Sequence, residues 1–471
     1  MDATLPRVGG DTAYWLQEAG AGVATDPLDD DASADVVVIG GGYAGLWTAW
    51  AVRERAPDAR VVVLEARACG EGPSGRNAGF ANSFWHHLAE LGAQFGEREA
   101  VEICRAGSAS VDAIRDWARE RDVEIWFRGD GQVKAAASPA QDDRWLPSVR
   151  VCEEAGEGDR FFALTADEVR GRCGSPRLRG GAMIPGSATV QPARLALGLR
   201  DAVVGAGVRV HEHSPARRIT RQGEGVVVET GSGARVTAPA AVVAINAAAA
   251  GFGPLRGRLA VTSTHMVVTE PVPDVLERVG WTGGEGVSTA GTYLHYFRTT
   301  PDGRIAFGWG GGRVAYGARL GGRVSSDPGI VERLRADLVS FFPELRGRHI
   351  THGWGGPVDV SPTQHPVVGT LAGGRIHYVY GFTGNGVGPA HLAGRILSSL
   401  ALDRRDELTR LALVEPVHAP VPPEPLRYLG GTLVRAALLR RERREDAGMR
   451  VDPLTRVIVD LPRRLGIHIG R

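Results

Sequence analysis

"ADVVVIGGGYAGLWTAWAVRERAPDARVVVLEA", residues 34–66, is the stretch whose reading decides the fold. Val36, Val37, Val38 and Ile39 form a short, β-branched apolar run. Such a run suits a strand buried on both faces of a parallel sheet. Gly40, Gly42 and Gly45 follow with the spacing G-x-G-x-x-G. The first glycine allows a tight turn, the second lets backbone approach a pyrophosphate, and the third lets the next helix pack on the strand. A helix from about Gly42 to Arg55, with Tyr43 and Ala44 in its first turn, points its N–H groups and positive dipole end at the phosphates. Arg60 to Leu64 reads as a second buried strand, followed by Glu65, Ala66 and Arg67. Glu65 stands twenty residues after Gly45, where a carboxylate meets adenosine ribose hydroxyls and repels a 2′-phosphate. By itself this unit suits a nicotinamide dinucleotide, a flavin dinucleotide, or a glycine turn with no ligand.

The chain of 471 residues has room for two or three domains, and at 43% hydrophobic it can bury a sizeable core. A net charge of +1 steers nothing strongly toward nucleic acid, so no nucleic-acid partner is expected. Lys134 is the only lysine among basic residues that are otherwise arginine. Cys69, Cys104, Cys152 and Cys173 show no C-x-x-C spacing, which argues against a disulfide framework or a metal site. A reducing, cytoplasmic setting fits them. No apolar run reaches the ~18 residues of a spanning helix, and the N-terminus lacks a signal-peptide pattern.

Residues 1–33 read as an irregular leader in which "AYWLQEA" (13–19) forms a helical turn packing its tryptophan on the body. Segments 87–121 and 139–171 are helical in pattern. "DVEIWFRGDGQVKAAA" (122–137) alternates and reads as a hairpin around Gly129–Gly131. Helix and strand follow one another over 190–219, and 225–246 reads as a hairpin leading into another buried strand. Residues 257–320 are strand-rich and 328–342 form a helix.

Two further loops choose the cofactor. Ser74, Gly75, Arg76, Asn77, Ala78 and Gly79 offer small residues, a hydroxyl, a cation and an amide soon after Glu65. Far downstream, "GFTGNGVG" (381–388) ends a strand and opens a helix. A nicotinamide enzyme needs only the first site. A flavin adds a ribityl chain and a ring whose reduced form is negative near N1, which a helix N-terminus stabilises.

On these residues the sequence resembles the FAD-dependent D-amino acid oxidase and sarcosine/glycine oxidase family over roughly residues 34–405. The motifs that carry the resemblance are "VVVIGGGYAGL", Glu65, "GPSGRNAGF" and "HPVVGTLAGGRIHYVYGFTGNGVGPAHLAGRILSSLAL". "GPSGRNAGF" and "WGGPVDVSPTQHPVVG" look closest to the branch containing γ-glutamylputrescine oxidase. The resemblance implies FAD held by Gly40, Gly42, Tyr43, Ala44 and Gly45 at the pyrophosphate, and by Glu65, Ala66 and Arg67 at the ribose. It implies Ser74, Gly75, Arg76, Asn77 and Gly79 on the phosphate and flavin side, and Ala216 at the adenine. It further implies Gly381, Thr383, Gly384, Asn385, Gly386 and Val387 at the ribityl chain and the flavin N1/O2 edge. The fold it implies is α/β (α+β overall), a Rossmann-like FAD-binding domain with a parallel sheet interleaved with an antiparallel-sheet substrate domain. Residues 34–87, 180–250 and 351–405 are assigned to the first and 88–179 and 251–350 to the second. Residues 1–33 are a leader and 406–471 a C-terminal tail.

Departures from the family bear on the chemistry. Sarcosine oxidase-like members attach flavin through a cysteine where this chain has Gly355 and Gly356, so non-covalent FAD is expected. Members acting on amino acids often place an arginine where Pro357, Val358 and Asp359 stand. Asp359 is therefore a candidate to hold a cationic amine, with a strand-end carboxylate as the alternative. Arg313 lies in the neighbourhood where sarcosine-type oxidases carry a lysine over the flavin, and Lys134 lies elsewhere in the sequence. Tyr293, His295, Tyr296 and Arg298 alternate on one strand, so Tyr293 and His295 are candidates to line the pocket together, with sheet packing as the alternative. His86 and His87 read as structural, with substrate contact as the alternative. No metal-ligand constellation stands out.

The reading is an FAD-dependent oxidoreductase oxidising the C–N bond of a small amine or amino acid. Hydride passes to the flavin, the imine hydrolyses, and O2 or another acceptor takes the electrons. The alternatives are a dehydrogenase that passes electrons to quinone or a protein, and a non-catalytic flavin-binding protein. In the tail, Leu429, Leu433, Val434, Ala437 and Leu438 form a helical apolar stripe followed by Arg440, Arg441, Arg443 and Arg444. A basic amphipathic helix suits an anionic membrane surface. Glu442, Glu445 and Asp446 instead favour a helix docked on the body.

Overall fold

A six-stranded sheet carries the opening stretch. In order it runs Arg209–His211, Val61–Leu64, Val36–Ile39, Ala240–Val243, Ile376–Tyr380 and Val367–Thr370. All neighbours are parallel except the last pair. The computed structural model describes residues 2–4, 13–20, 22, 24–416, 420–464 and 466. Val36–Ile39 and Val61–Leu64 are buried throughout, as strands covered on both faces must be. Strand order reverses between Val36–Ile39 and Ala240–Val243, and such a switch point opens a crevice at the carboxyl ends of the strands. Gly40 (φ +114°) turns the chain there, and a Cβ on it would strike the Ala244 carbonyl. Helix Tyr43–Arg55 starts at the turn, and helix Val387–Ala401 packs along it.

The second layer is an eight-stranded sheet, in order Ile350–Val360, Ala260–Thr269, Ile305–Trp309, His295–Thr299, Gly286–Thr289, Gln132–Ala135, Gly181–Ile184 and Phe162–Leu164. Its register decides which side chains meet the site. Met266, Gly308, Tyr296, Ser288 and Lys134 stand opposite one another in one row across five strands. The adjoining row is Val267, Phe307, Phe297, Val287 and Val133. Because successive residues point to opposite faces, the second row forms a core with Leu334, Leu338 and Phe341 of helix Pro328–Phe341. The first row faces the six-stranded sheet's side of the molecule.

Several local expectations change. Residues 122–137 do not form a hairpin. Arg128 pairs with Thr189, Trp126 has φ +52°, and only Gln132–Ala135 is a strand, held by Gly286–Thr289 and Gly181–Ile184. Segment 139–171 is not one helical stretch, because Phe162–Leu164 adds a strand between helices Leu146–Glu154 and Ala166–Arg172. Gly181–Ile184 and Ile350–Val360 lie in the eight-stranded sheet, apart from the other strands of the segments assigned above to FAD binding. The leader holds helix Tyr14–Ala19, which buries Trp15 completely. It also adds Asp2–Thr4 and Ala32–Ser33 to a five-stranded sheet with 216–238; residues 5–12 lie outside the described residues.

The tail forms helices Leu426–Asp446 and Pro453–Arg464. Val434, Ala437 and Leu438 are buried, but Leu429 and Leu433 are 60% and 51% exposed. The docked face is thus turned from the stripe read in the sequence. Arg440 pairs with Asp452, Arg441 donates to Thr292 Oγ1, and Arg443 and Arg444 donate to backbone carbonyls. Among the described residues no helix is long and apolar enough to cross a membrane.

Candidate active site

One continuous cavity of about 580 Å³ is lined by both layers and by the tail. Gly42 is the N-cap of helix Tyr43–Arg55, and a Cβ on it would stand 2.9 Å from Ser74 Oγ. That hydroxyl accepts the Tyr43 N–H at 2.9 Å, so the two phosphate-facing loops are tied together at the helix start. Glu65 accepts the Gly41 N–H at 2.7 Å and the Arg67 N–H at 2.9 Å. Burial pushes its carboxyl up, and those two N–H groups pull it back. Asn77 is rigid: its amide donates to Pro73 O and Ser74 O, and its oxygen accepts the Gly79 N–H at 2.7 Å. Arg76 lines the cavity with Nε donating to Glu71 O.

The loop after Ile376–Tyr380 closes the other side. Gly381 has φ +83° and Thr383 φ +50°. Asp359, 1% exposed, accepts the Gly381 N–H at 2.6 Å and the Asn246 amide at 2.9 Å. Burial pushes its carboxyl up to about 7 against the hydrogen bonds from Gly381 and Phe382. Oδ2 thus serves the loop and Oδ1 serves Asn246, as a strand-end carboxylate would, while Asp359 also lines the cavity. Asn385 is buried with its amide nitrogen and oxygen both lacking a partner. Asn385 does not line the cavity, so this unpaired amide belongs to the interior of the loop.

Most of the sequence-derived cofactor residues line this cavity: Gly40, Gly42, Tyr43, Ala44, Glu65, Ala66, Arg67, Ser74, Arg76, Asn77, Ala216, Thr383, Gly384, Gly386 and Val387. Gly45, Gly75, Gly79, Gly381 and Asn385 lie behind it. A Cβ on Gly45 would meet the Gly40 carbonyl, so that glycine serves helix–strand packing.

The substrate-side candidates divide. Tyr293 lines the cavity, but it precedes strand His295–Thr299, so strand alternation does not pair it with His295. His295 is on the core face, with Nε2 3.0 Å from Asp337 Oδ2 and its ring against Phe307 and Phe341. Arg313 is likewise turned away, its Nε donating to Asp327 at 2.7 Å. His86 lines the cavity and His87 does not. Sequence reasoning missed Gln132, Lys134, Thr264 and Ser288, which line it beside Tyr296. Tyr296 Oη bonds Thr264 Oγ1, and Gln132 donates to Ser288 Oγ at 2.9 Å. Alternation within "QVKA" carried this signal; the strand pairing that aims it did not show. Also missed were Arg427, Gly430, Gly431, Val434 and Arg435 of the tail helix.

A dinucleotide cradle at a sheet's switch point, opening onto the polar face of a second sheet, defines a flavoprotein oxidoreductase. Residues 35–400 match the DAO family of FAD-dependent oxidoreductases, and the chain belongs to that family. It is an enzyme family that binds FAD, and the cradle described above fits that group. The chain is 31% identical to γ-glutamylputrescine oxidoreductase of Escherichia coli (strain K12), over 83% of this chain and 88% of that protein. It is 28% identical to a probable oxidoreductase OrdL of Rhizobium meliloti, over 86% and 90%. The crystal structure of glycine oxidase from Geobacillus kaustophilus has the same fold, with TM-score 0.66 and 22% identity over 82% of this chain and 100% of that one.

Proposed function

We propose that this enzyme oxidises the C–N bond of a small amine or amino acid. The observation that carries the reading is the shared cavity: the FAD cradle and a polar sheet face of Thr264, Tyr296, Ser288, Gln132 and Lys134 line the same space. FAD supplies the two-electron acceptor there. The chain's part is to orient the amine and exclude water. With FAD bound, the substrate would give up an N–H proton and, from the adjacent carbon, a hydride for which the flavin would be the acceptor. The resulting imine takes up water and releases ammonia or a smaller amine. Asp359 and Asn246 position the 381–383 loop, and the tied Ser74–Tyr43 pair positions the pyrophosphate turn. The six-stranded sheet serves FAD and the eight-stranded sheet the substrate. That none of the four cysteines, all free thiols, lines the cavity supports FAD held without a cysteinyl bond. Those thiols also support a cytoplasmic place for the enzyme.

The test is anaerobic mixing of the purified flavoprotein with a panel of amines and amino acids. Bleaching of the flavin by at least one of them is expected, and a panel that leaves the colour untouched refutes the reading. Oxygen consumption against dye reduction then identifies the acceptor class.

A further inference from the structure

The tail lies beyond the segment that matches the family, residues 35–400, yet it walls the cavity. On helix Leu426–Asp446, Leu426, Gly430, Gly431, Val434 and Arg435 line that space. They recur at i, i+4, i+5, i+8 and i+9, which is one face of a helix. Two adjacent glycines in mid-helix weaken the helix they sit in. A Cβ on Gly430 would meet nothing within 4 Å, so no packing requires that glycine. Gly430 leaves open space along the wall, whereas a Cβ on Gly431 would stand 3.3 Å from Val314 Cγ1.

One turn further on stands Arg435. Its Nη2 donates to Gly311 O at 2.7 Å, and Nε reaches Gly311 O and Gly312 O. Those carbonyls fix the guanidinium without neutralising it, and among the described residues no carboxylate pairs with it. The neighbouring Arg427 differs, since it is bound to Glu424 at 2.9 Å. The cavity-lining carboxylates among the described residues are Glu65, Glu71 and Asp359. Glu65 and Asp359 are bound to the cofactor loops, and Glu71 pairs with Arg67. The carboxylate that acts on Arg435, Asp327, is itself bound to Arg313, and a part-buried cation held by backbone carbonyls and facing a cavity favours an anionic ligand group.

Resting on the amine-oxidase reading, we propose that the tail helix is the substrate-selecting wall. It accommodates an extended amine alongside Gly430 and Gly431 and binds a carboxylate at the amine's far end through Arg435. The substrate class is then an amine joined by a flexible chain to a distal carboxylate.

The test uses the full-length FAD-loaded enzyme and matched probes, 5-aminopentanoate against n-pentylamine. Glutarate serves as a non-reactive ligand, followed by its perturbation of the visible flavin spectrum. In the wild type 5-aminopentanoate is expected to bleach the flavin at least tenfold more efficiently than n-pentylamine. Arg435→Ala should reduce that ratio at least tenfold, through KM, and weaken glutarate binding at least tenfold. Arg435→Lys should restore part of both. Gly430→Leu, which enters open space, should shift the preference toward shorter chains. If Arg435→Ala melts as the wild type does and leaves both the ratio and glutarate binding unchanged, the wall does not recognise a carboxylate. If no amine bleaches the flavin but Arg435-dependent glutarate binding is present, the oxidase reading fails while the anion site stands.

Discussion

Asp359→Ala is the sharpest single perturbation of the cofactor site. It removes the acceptor for two buried donors, the Gly381 N–H and the Asn246 amide. A buried donor left unmade costs about 1–3 kcal/mol. The loss falls on a loop whose conformation, at φ +83° and φ +50°, needs external support. At about 1.4 kcal/mol per tenfold, FAD should bind roughly 10- to 100-fold more weakly. Asp359→Asn keeps an oxygen for Gly381, and its amide can donate to the Asn246 oxygen, which has no partner at present. That variant should stay within about threefold of wild type, because both contacts are remade. Titration of apoprotein with FAD, followed by quenching of flavin fluorescence, separates the two. Asp359→Ala binding FAD as tightly as wild type would refute the reasoning. The pH dependence gives an independent reading. The folded carboxyl titrates at about 7, above its ordinary 3.8. Its contribution to apoprotein stability is therefore complete below about pH 4 and is lost as pH rises toward 7. The difference corresponds to about 4 kcal/mol, and the pH slope should vanish in Asp359→Asn.

Gly42→Val should purify without flavin, because its branched side chain crowds Ser74 Oγ and the backbone that meets phosphate; visible absorbance per mole of protein reports this. Acid precipitation of the wild type should release all flavin into the supernatant, and a yellow pellet would contradict a non-covalent site. His295→Ala should lower stability by about 2 kcal/mol in denaturant unfolding, through lost packing and the lost Asp337 contact, with FAD affinity unchanged. A change in KM for amine without a change in stability would return His295 to the cavity.

The cofactor half was legible because its physics is local. Gly40, Gly42, Gly45 and Glu65 act within one strand–turn–helix–strand unit, and their spacing states what each must do. The substrate half depends on pairing between distant strands. His295 and Tyr296 are neighbours in sequence, and only the register with Trp309 and Gly308 decides that the first faces core and the second faces the cavity. Lys134 sat in a segment read as a hairpin, and its true partners, Ser288 and Ala182, are far along the chain. The tail stripe failed for a related reason. Glycine is invisible to a search for apolar periodicity, so a helix face built on Gly430, Gly431 and Arg435 was passed over for Leu429 and Leu433.

The polypeptide crosses between the two principal sheets four times. Strand Ile350–Val360 ends the eight-stranded sheet with the residue that holds the other half's loop. Neither half can be cut out as one contiguous piece, and the Asp359–Gly381 hydrogen bond ties the edge of one sheet to the loop of the other. Heating should therefore unfold both halves in one calorimetric peak rather than two. Traffic into and out of the enzyme then belongs to its rim, not to a hinge between its halves.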